Sequence, residues 1–379
     1  NALKGFLKGC IVYVLLLYFL YIFLVYMSNC EINDKRNQRE FKGITFSKFQ
    51  KTKVKKELLS CLCSSKIESA CYWGAELICA GHYSDLWDII ILFFTKYIHL
   101  GNPKLPIYIA MRIENFKSIV MNGYVDNELR MRNNGKIRQL FTEIITILCI
   151  SKKKHSFEPI KIKKTDEFNM ALMSSKLKAP SVNYASSYFK KGDAKELYIA
   201  FNEFAYHISS ESKNVVSASY WLEWILDFEI LCKKQKESCL CERRSFAPVQ
   251  DKYQMDSIWV VWEIIIGECK TKRNLILNKI IESLLTIFCI KYTSGVKKRR
   301  RFIIYNAVAL LTEPSDLKVE IVNDKKQVDN ILKKIDVVYQ DVKKNEVSPN
   351  TDYLLHNIGK SNLDKTVERL EKMNKFLGE

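Results

Sequence analysis

The sequence predicts a mainly α-helical protein, with an N-terminal transmembrane helix, an irregular multi-helix bundle or solenoid-like body, and C-terminal amphipathic helices. Three observations predict this. Glycine and proline are scarce, 13 and 7 in 379 residues, and a many-stranded fold needs more turn-formers than that. Apolar residues recur at helical spacing through most of the chain. Near the N-terminus, Gly9 to Cys30 is free of charge for 22 residues.

The centre of that segment, CIVYVLLLYFLYIFLVYM (Cys10 to Met27), is almost wholly apolar. About 20 such residues span a bilayer core as a helix. Cys10, Tyr13, Leu16, Tyr18, Tyr21, Leu24 and Met27 are the residues assigned to the anchor. Tyr13 and Tyr26 stand where interfacial aromatics belong. Tyr18 and Tyr21 are more central and share a face, so their hydroxyls favour a partner helix over lipid. A signal peptide has a shorter apolar core and a small-residue cleavage site, and no such site is visible. A buried core helix is usually striped, whereas this segment is apolar all round. Lys35, Arg36, Arg39 and Lys42 outnumber Lys4 and Lys8, which places the body on the cytoplasmic side or its topological equivalent.

Residues 1–30 are therefore read as an anchor and 31–56, polar and charged, as a tether. Residues 57–313 form the helical body. Ser84 to Leu100 reads as a helix stopped by Gly101-Asn102-Pro103, and Pro106 opens the next. That helix shows Ile109, Ile113, Phe116 and Val120 on one face, and Asn122-Gly123 ends it. Lys136 to Ile150 carries a stripe of Ile137, Leu140, Phe141, Ile144 and Leu148. Ser151 to about Pro180 is lysine-rich and irregular, a surface excursion. Helices resume at 195–207, 215–232, 259–269 and 275–290, with a loop at Cys239 to Pro248. From Pro314 to Glu379 the charge is balanced and aromatics are few, which reads as a separate appendage. Within it, Leu317 to Val322 alternates like a short strand. Val328, Ile331, Leu332, Ile335 and Val338 form an amphipathic stripe, as do Val367, Leu370 and Met373.

The net charge of +18 calls for an anionic partner. Two basic runs stand out: Lys152, Lys153 and Lys154; and Lys297, Lys298, Arg299, Arg300 and Arg301. Beside a membrane, contact with anionic headgroups or protein outweighs nucleic acid, because neither run has the interleaved aromatics of single-strand binding. The twelve cysteines follow no disulfide spacing and read as buried apolar residues in a reducing compartment. Cys61, Cys63, Cys71, Cys79 and His82 are the densest candidate metal ligands, but they lack a second close pair. Cys232, Cys239 and Cys241 have no zinc-knuckle spacing. No phosphate-binding, dinucleotide, metalloprotease or nucleophile-elbow motif occurs, so neither an enzyme nor a bound cofactor is expected. A Cys–His nucleophile remains a third class, since such partners need not be close in sequence. His99 sits in a last helical turn, where a cation suits the dipole. Glu223 and Asp227, four apart, read as a solvated helix face. Trp221/Trp224 and Trp259/Trp262 read as core, with a partner surface as the alternative.

Several segments together carry a resemblance: YWGAELICAGHYSDLWDIIILFF (72–94), KYIHLGNPKLPIYIAMR (96–112), NGYVDNELRMRNN (122–134), HSFEPIKIKK (155–164) and LKAP (177–180). They continue with KELYIAFNEFAYHIS (195–209), ASYWLEWILDFE (218–229) and CERRSFAPV (241–249). In combination these resemble a family of virion-associated, minor capsid proteins of large icosahedral nucleocytoplasmic DNA viruses of algae and protists. The resemblance covers about 72–270 and brings no catalytic residue with it. It implies a structural, non-enzymatic protein assembled in host cytoplasm and lying in the virion between inner membrane and capsid shell. The implied partners are inner-membrane lipid, major-capsid-protein capsomers and other minor capsid proteins. A membrane-tethered nucleic-acid-binding virion protein is the alternative.

Overall fold

The computed structural model describes residues 30–37, 39–122, 127–162, 168 and 173–346. The hydrophobic segment Cys10–Met27, with all seven of its assigned anchor residues, lies outside them, and so does the stripe of Val367, Leu370 and Met373. Among the described residues no helix is long and apolar enough to cross a membrane.

The described chain is helical, and its only β pairing is an isolated bridge between Ile44 and Gln50. The helices are α1 (Lys51–Cys63), α2 (Ile67–Cys79), α3 (Tyr83–Phe93), α4 (Leu105–Met121), α5 (Glu128–Arg132) and α6 (Gly135–Ile150). They continue with α7 (Tyr198–Ile208), α8 (Val215–Gln235), α9 (Ile258–Thr271), α10 (Leu275–Cys289), α11 (Arg301–Thr312), α12 (Lys325–Lys333) and α13 (Ile335–Lys343). Short polar residues open many of them. Asn127, Asn134, Asn214, Asn274 and Asp324 each accept the backbone N–H three residues on, which satisfies one of the donors a helix start leaves free.

The expected helix 84–100 breaks early. After Phe93 the chain widens into a π turn, Phe94–Ile98, then tightens into a 3-10 turn, His99–Gly101. The junction at His99 has φ +48. Gly101 is required there: a Cβ would collide with the Lys152 carbonyl, whose carbon would lie 2.9 Å away.

Helix α11 was not legible as a helix, yet it is the hub. It is buried along its length and packs against α3, the π turn, α7, α8, α9 and α10. A stacked solenoid would limit each helix to its neighbours, so the packing is that of an irregular bundle. Trp221, Trp224, Trp259 and Trp262 are all at most 2% exposed and belong to the core.

Three expectations about organisation need correction. Residues 31–56 are not a free tether, because Ile32, Phe41, Phe46 and Val54 are buried and Glu76 of α2 accepts hydrogen bonds from Thr45 and Ser47. Residues 314–346, the described part of the C-terminal segment, are not detached either. Helices α12 and α13 pack on α2 and α6 and bury Val328, Ile335, Tyr339 and Val342. Leu317 to Val322 forms no strand; among the described residues no strand offers it a ladder, and Asn102 donates to the Ile321 carbonyl at 3.0 Å.

Candidate functional site: the exit clamp and the basic runs

The segment that follows the hydrophobic run is gripped by side chains. Arg138 of α6 donates to the Cys30 carbonyl at 3.0 Å. Asn133 pairs with both backbone groups of Ile32, accepting at 2.9 Å and donating at 2.8 Å. Glu346, just past α13, accepts from the backbone N–H groups of Asn33 (2.5 Å) and Asp34 (2.8 Å), and Lys343 donates to the Glu31 carbonyl. Arg132 donates to the carbonyl of Arg36 at 2.6 Å. Extended backbone needs such partners when it is buried outside a sheet.

The clamping groups are themselves fixed. Arg132 and Arg138 are 1% and 6% exposed. Arg36 and Arg132 both stack on the Phe41 ring, with guanidinium carbons 4.4 and 5.2 Å from its centroid, and Arg138 lies 4.1 Å over Tyr339. Residues 30 and 346 are thereby held at one corner. None of this was legible: Asn133 and Glu346 carry no local signal of a partner about a hundred or more residues away.

The second basic run is largely tied up inside the molecule rather than presented as five free cations. Its cations meet carboxylates brought in by α8 and by the chain before α9. Lys297 lies 2.5 Å from Glu229 and 3.7 Å from Asp256; Lys298 lies 2.5 Å from Asp227; Arg301 lies 3.1 Å from Glu223. Arg300 donates to the carbonyls of Phe288 and Ile290. Arg299 alone of the five is exposed. Hydroxyls complete the cluster: Tyr305 donates to Glu223 at 2.9 Å, Tyr292 to Asp256 at 2.7 Å, and Ser257 to Glu229. Glu223 and Asp227 are therefore not a solvated face; they are 1% and 7% exposed. Burial raises the Glu223 carboxyl, and the Arg301 charge and the Tyr305 hydrogen bond only partly offset it. Acids set among the aromatic and aliphatic residues of ASYWLEWILDFE are the available signal.

The first run is different. Lys152 is exposed, Lys154 pairs with Glu313 at 2.9 Å at the surface, and Lys153 donates to Ser65 and to the Cys149 carbonyl. Its backbone is the fixed part: Lys154 N–H donates to Ile98 and Ser156 N–H to Lys96, so the run lies along the π turn. Behind it, His99 is buried and cannot be the dipole-capping cation expected of it. Burial pushes its imidazole down to about 4, and Glu313 only partly opposes this.

A further ionic knot joins the loop after α8 to the chain before α7. Arg244 grips Asp193 bidentately at 2.6 and 2.7 Å and Glu263 at 2.9 Å. Burial raises the Asp193 carboxyl, but the Arg244 hydrogen bonds and two backbone N–H groups outweigh it and hold it below the usual range.

Among the described residues no three metal-ligating side chains converge on a possible ion site. His82 instead meets the Ile44 carbonyl at 2.8 Å. Burial pushes the Cys71, Cys79 and Cys149 thiols up to about 12, the opposite of what a nucleophile needs.

With this geometry in view, no known protein family, curated protein or solved structure matches the chain.

Proposed function

We propose that this protein is a structural, non-enzymatic minor capsid protein of a large DNA virus, anchored in the inner viral membrane and linking it to the capsomer shell during assembly. The observation that carries the reading is the exit clamp. A linker under load must pass force from its anchor into a rigid body, and the residues directly after the hydrophobic segment are bound by Arg132, Asn133, Arg138, Lys343 and Glu346. The resemblance over 72–270 supplies the viral setting. The raised thiols and the absence of a catalytic motif support a non-enzymatic role.

In this reading Cys10–Met27 inserts in the inner membrane, and the helical body lies beneath the capsomers beside other minor capsid proteins. The exposed part of Lys152–Lys154 meets headgroups or an acidic capsomer underside. The nucleic-acid alternative is weaker, since Lys297, Lys298 and Arg301 already face carboxylates.

Stepwise detergent and salt extraction of purified particles tests this. The protein should stay with the membrane–shell fraction, and a particle map should place residue 30 at the membrane surface. Recovery with the genome inside the membrane would overturn the reading. In that case purified protein should bind duplex DNA with a steep salt slope.

A further inference from the structure

One end of α11 gathers two basic segments. Lys272, in the turn between α9 and α10, donates to the Leu311 carbonyl, and Lys154 lies 2.9 Å from Glu313, two residues further on. The α9–α10 turn and the first basic run therefore share one end of the bundle. Helix α10 begins there with apolar side chains in solvent: Leu275 is 85% exposed and Ile276 46%. Leu277, Ile280, Ile281 and Leu284 are buried, so the core is served by the rest of the helix. Residues 270–279, KTKRNLILNK, hold Lys270, Lys272, Arg273 and Lys279 and no acid; the flanking acids are Glu268 and Glu282. Lys270, Arg273 and Lys279 are exposed, as is Lys152.

We propose that residues 270–279 form a second membrane contact, a tip that enters an anionic phospholipid surface through Leu275 and Ile276. An apolar tip ringed by cations fits the boundary between headgroups and acyl chains. The leucine and isoleucine enter the apolar layer, and the cations meet phosphates and carboxylates above it. Protein interfaces are rich in aromatics and poor in lysine, and this stretch is the reverse. Nucleic acid would pair with the cations and leave Leu275 in water.

The exit clamp binds the start of α6 and Lys152 follows its end, so about 24 Å of helix separates the two contacts. Anchored at one end and seated at the other, the body lies along the bilayer. That orientation rests on the membrane reading above; the affinity of the tip for anionic lipid does not.

The test is hydrogen exchange, read by mass spectrometry, on the full chain with vesicles of phosphatidylcholine alone or with one-third phosphatidylserine. Amides of 270–279 should exchange several-fold more slowly when phosphatidylserine is present, and the difference should shrink as salt is added. A basic residue near the surface contributes about a fivefold change in binding, so Arg273→Gln should cut the protection about fivefold. Leu275→Asp should abolish it. Leu275 is almost wholly in solvent and an acid in the first turn suits the helix dipole, so the melting temperature of this variant should match the wild type. Equal exchange with the two vesicles would overturn the proposal. So would protection in detergent that grows with protein concentration, which would assign the tip to a second copy of this chain. Flotation separates the two readings. A chain that floats only with the anionic vesicles keeps the tip and loses the anchor; one that floats with both and shows no protected tip keeps the anchor and loses the tip.

Discussion

Lys152–Lys154 and Lys297–Arg301 look alike in sequence and live in opposite surroundings. The first holds its place through backbone bonds to the π turn, and Lys152 and Lys154 project into solvent. The second is anchored through its charges, three of which face carboxylates on α8 that are at most 11% exposed at the side chain. A run of like charge is a surface feature only where the rest of the chain brings no opposite charge to it. Here α8 brings three acids along one helix: Glu223, Asp227 and Glu229.

The largest expected effect comes from breaking that internal cluster. Arg301→Met leaves Glu223 buried with Tyr305 as its remaining hydrogen-bond partner, and stranding a buried charge costs about 3–5 kcal/mol. Urea denaturation should show that loss. Adding Glu223→Leu should recover much of it, because the stranded charge is then gone. A double variant no more stable than the single one would mean that packing, not charge, sets the cost.

Next in size is an acid-induced loss behind the first run. His99 titrates at about 4 in the folded protein, below its unfolded value. A depressed histidine contributes stability that is complete above the unfolded value of roughly 6.5. That contribution is lost as pH falls from there through about 4. The loss is on the order of 3 kcal/mol at most. Asp193 adds to it at lower pH, its own contribution vanishing as pH falls through its depressed folded value. Glu223, raised by burial, acts in the opposite sense. His99→Asn should reduce the change in urea midpoint between pH 7 and pH 5, leaving the share of His82, whose imidazole burial also lowers. An unchanged midpoint difference would assign the acid sensitivity elsewhere.

Gly101→Ala probes the backbone side of the comparison. The new methyl meets the Lys152 carbonyl rather than a movable side chain, and overpacking of that kind costs about 1–3 kcal/mol. Thermal unfolding should show it, and hydrogen exchange at Lys154 and Ser156 should quicken, since their N–H groups bind the π turn.

Local pattern made the helices legible where stripes and caps were clear, as in α4, α6 and α10. It failed where the deciding partner was remote. Phe41 and Phe46 stand in a polar stretch and gave no period, yet both are fully buried. Helix α11 follows the basic run directly and is apolar all round, so it showed no stripe. The run itself could be read as charge, but its neutralisation depended on residues about 40 to 80 positions away. Glu223 and Asp227 have the spacing of a solvated pair yet lie on the buried side of their helix, as the nearby Trp221 and Trp224 indicate. The clamp could not be anticipated at all, because each grip is a side chain meeting a backbone group.

The smallest effect is the sharpest test of the contrast. Lys154 and Glu313 form an ion pair with side chains 49% and 31% exposed. Water and salt screen such a pair, and holding two long side chains together costs entropy, so its coupling should be about 0.2–1 kcal/mol. A double-mutant cycle with Lys154→Ala and Glu313→Ala measures that coupling directly, and it should shrink as salt is added. Lys152→Ala should change stability by no more than about 0.5 kcal/mol. The pair Arg301–Glu223 should show several times that coupling and respond little to salt, since Glu223 is only 1% exposed. Equal couplings, or equal salt dependence, would mean that the two runs are held in the same way and that burial does not separate them.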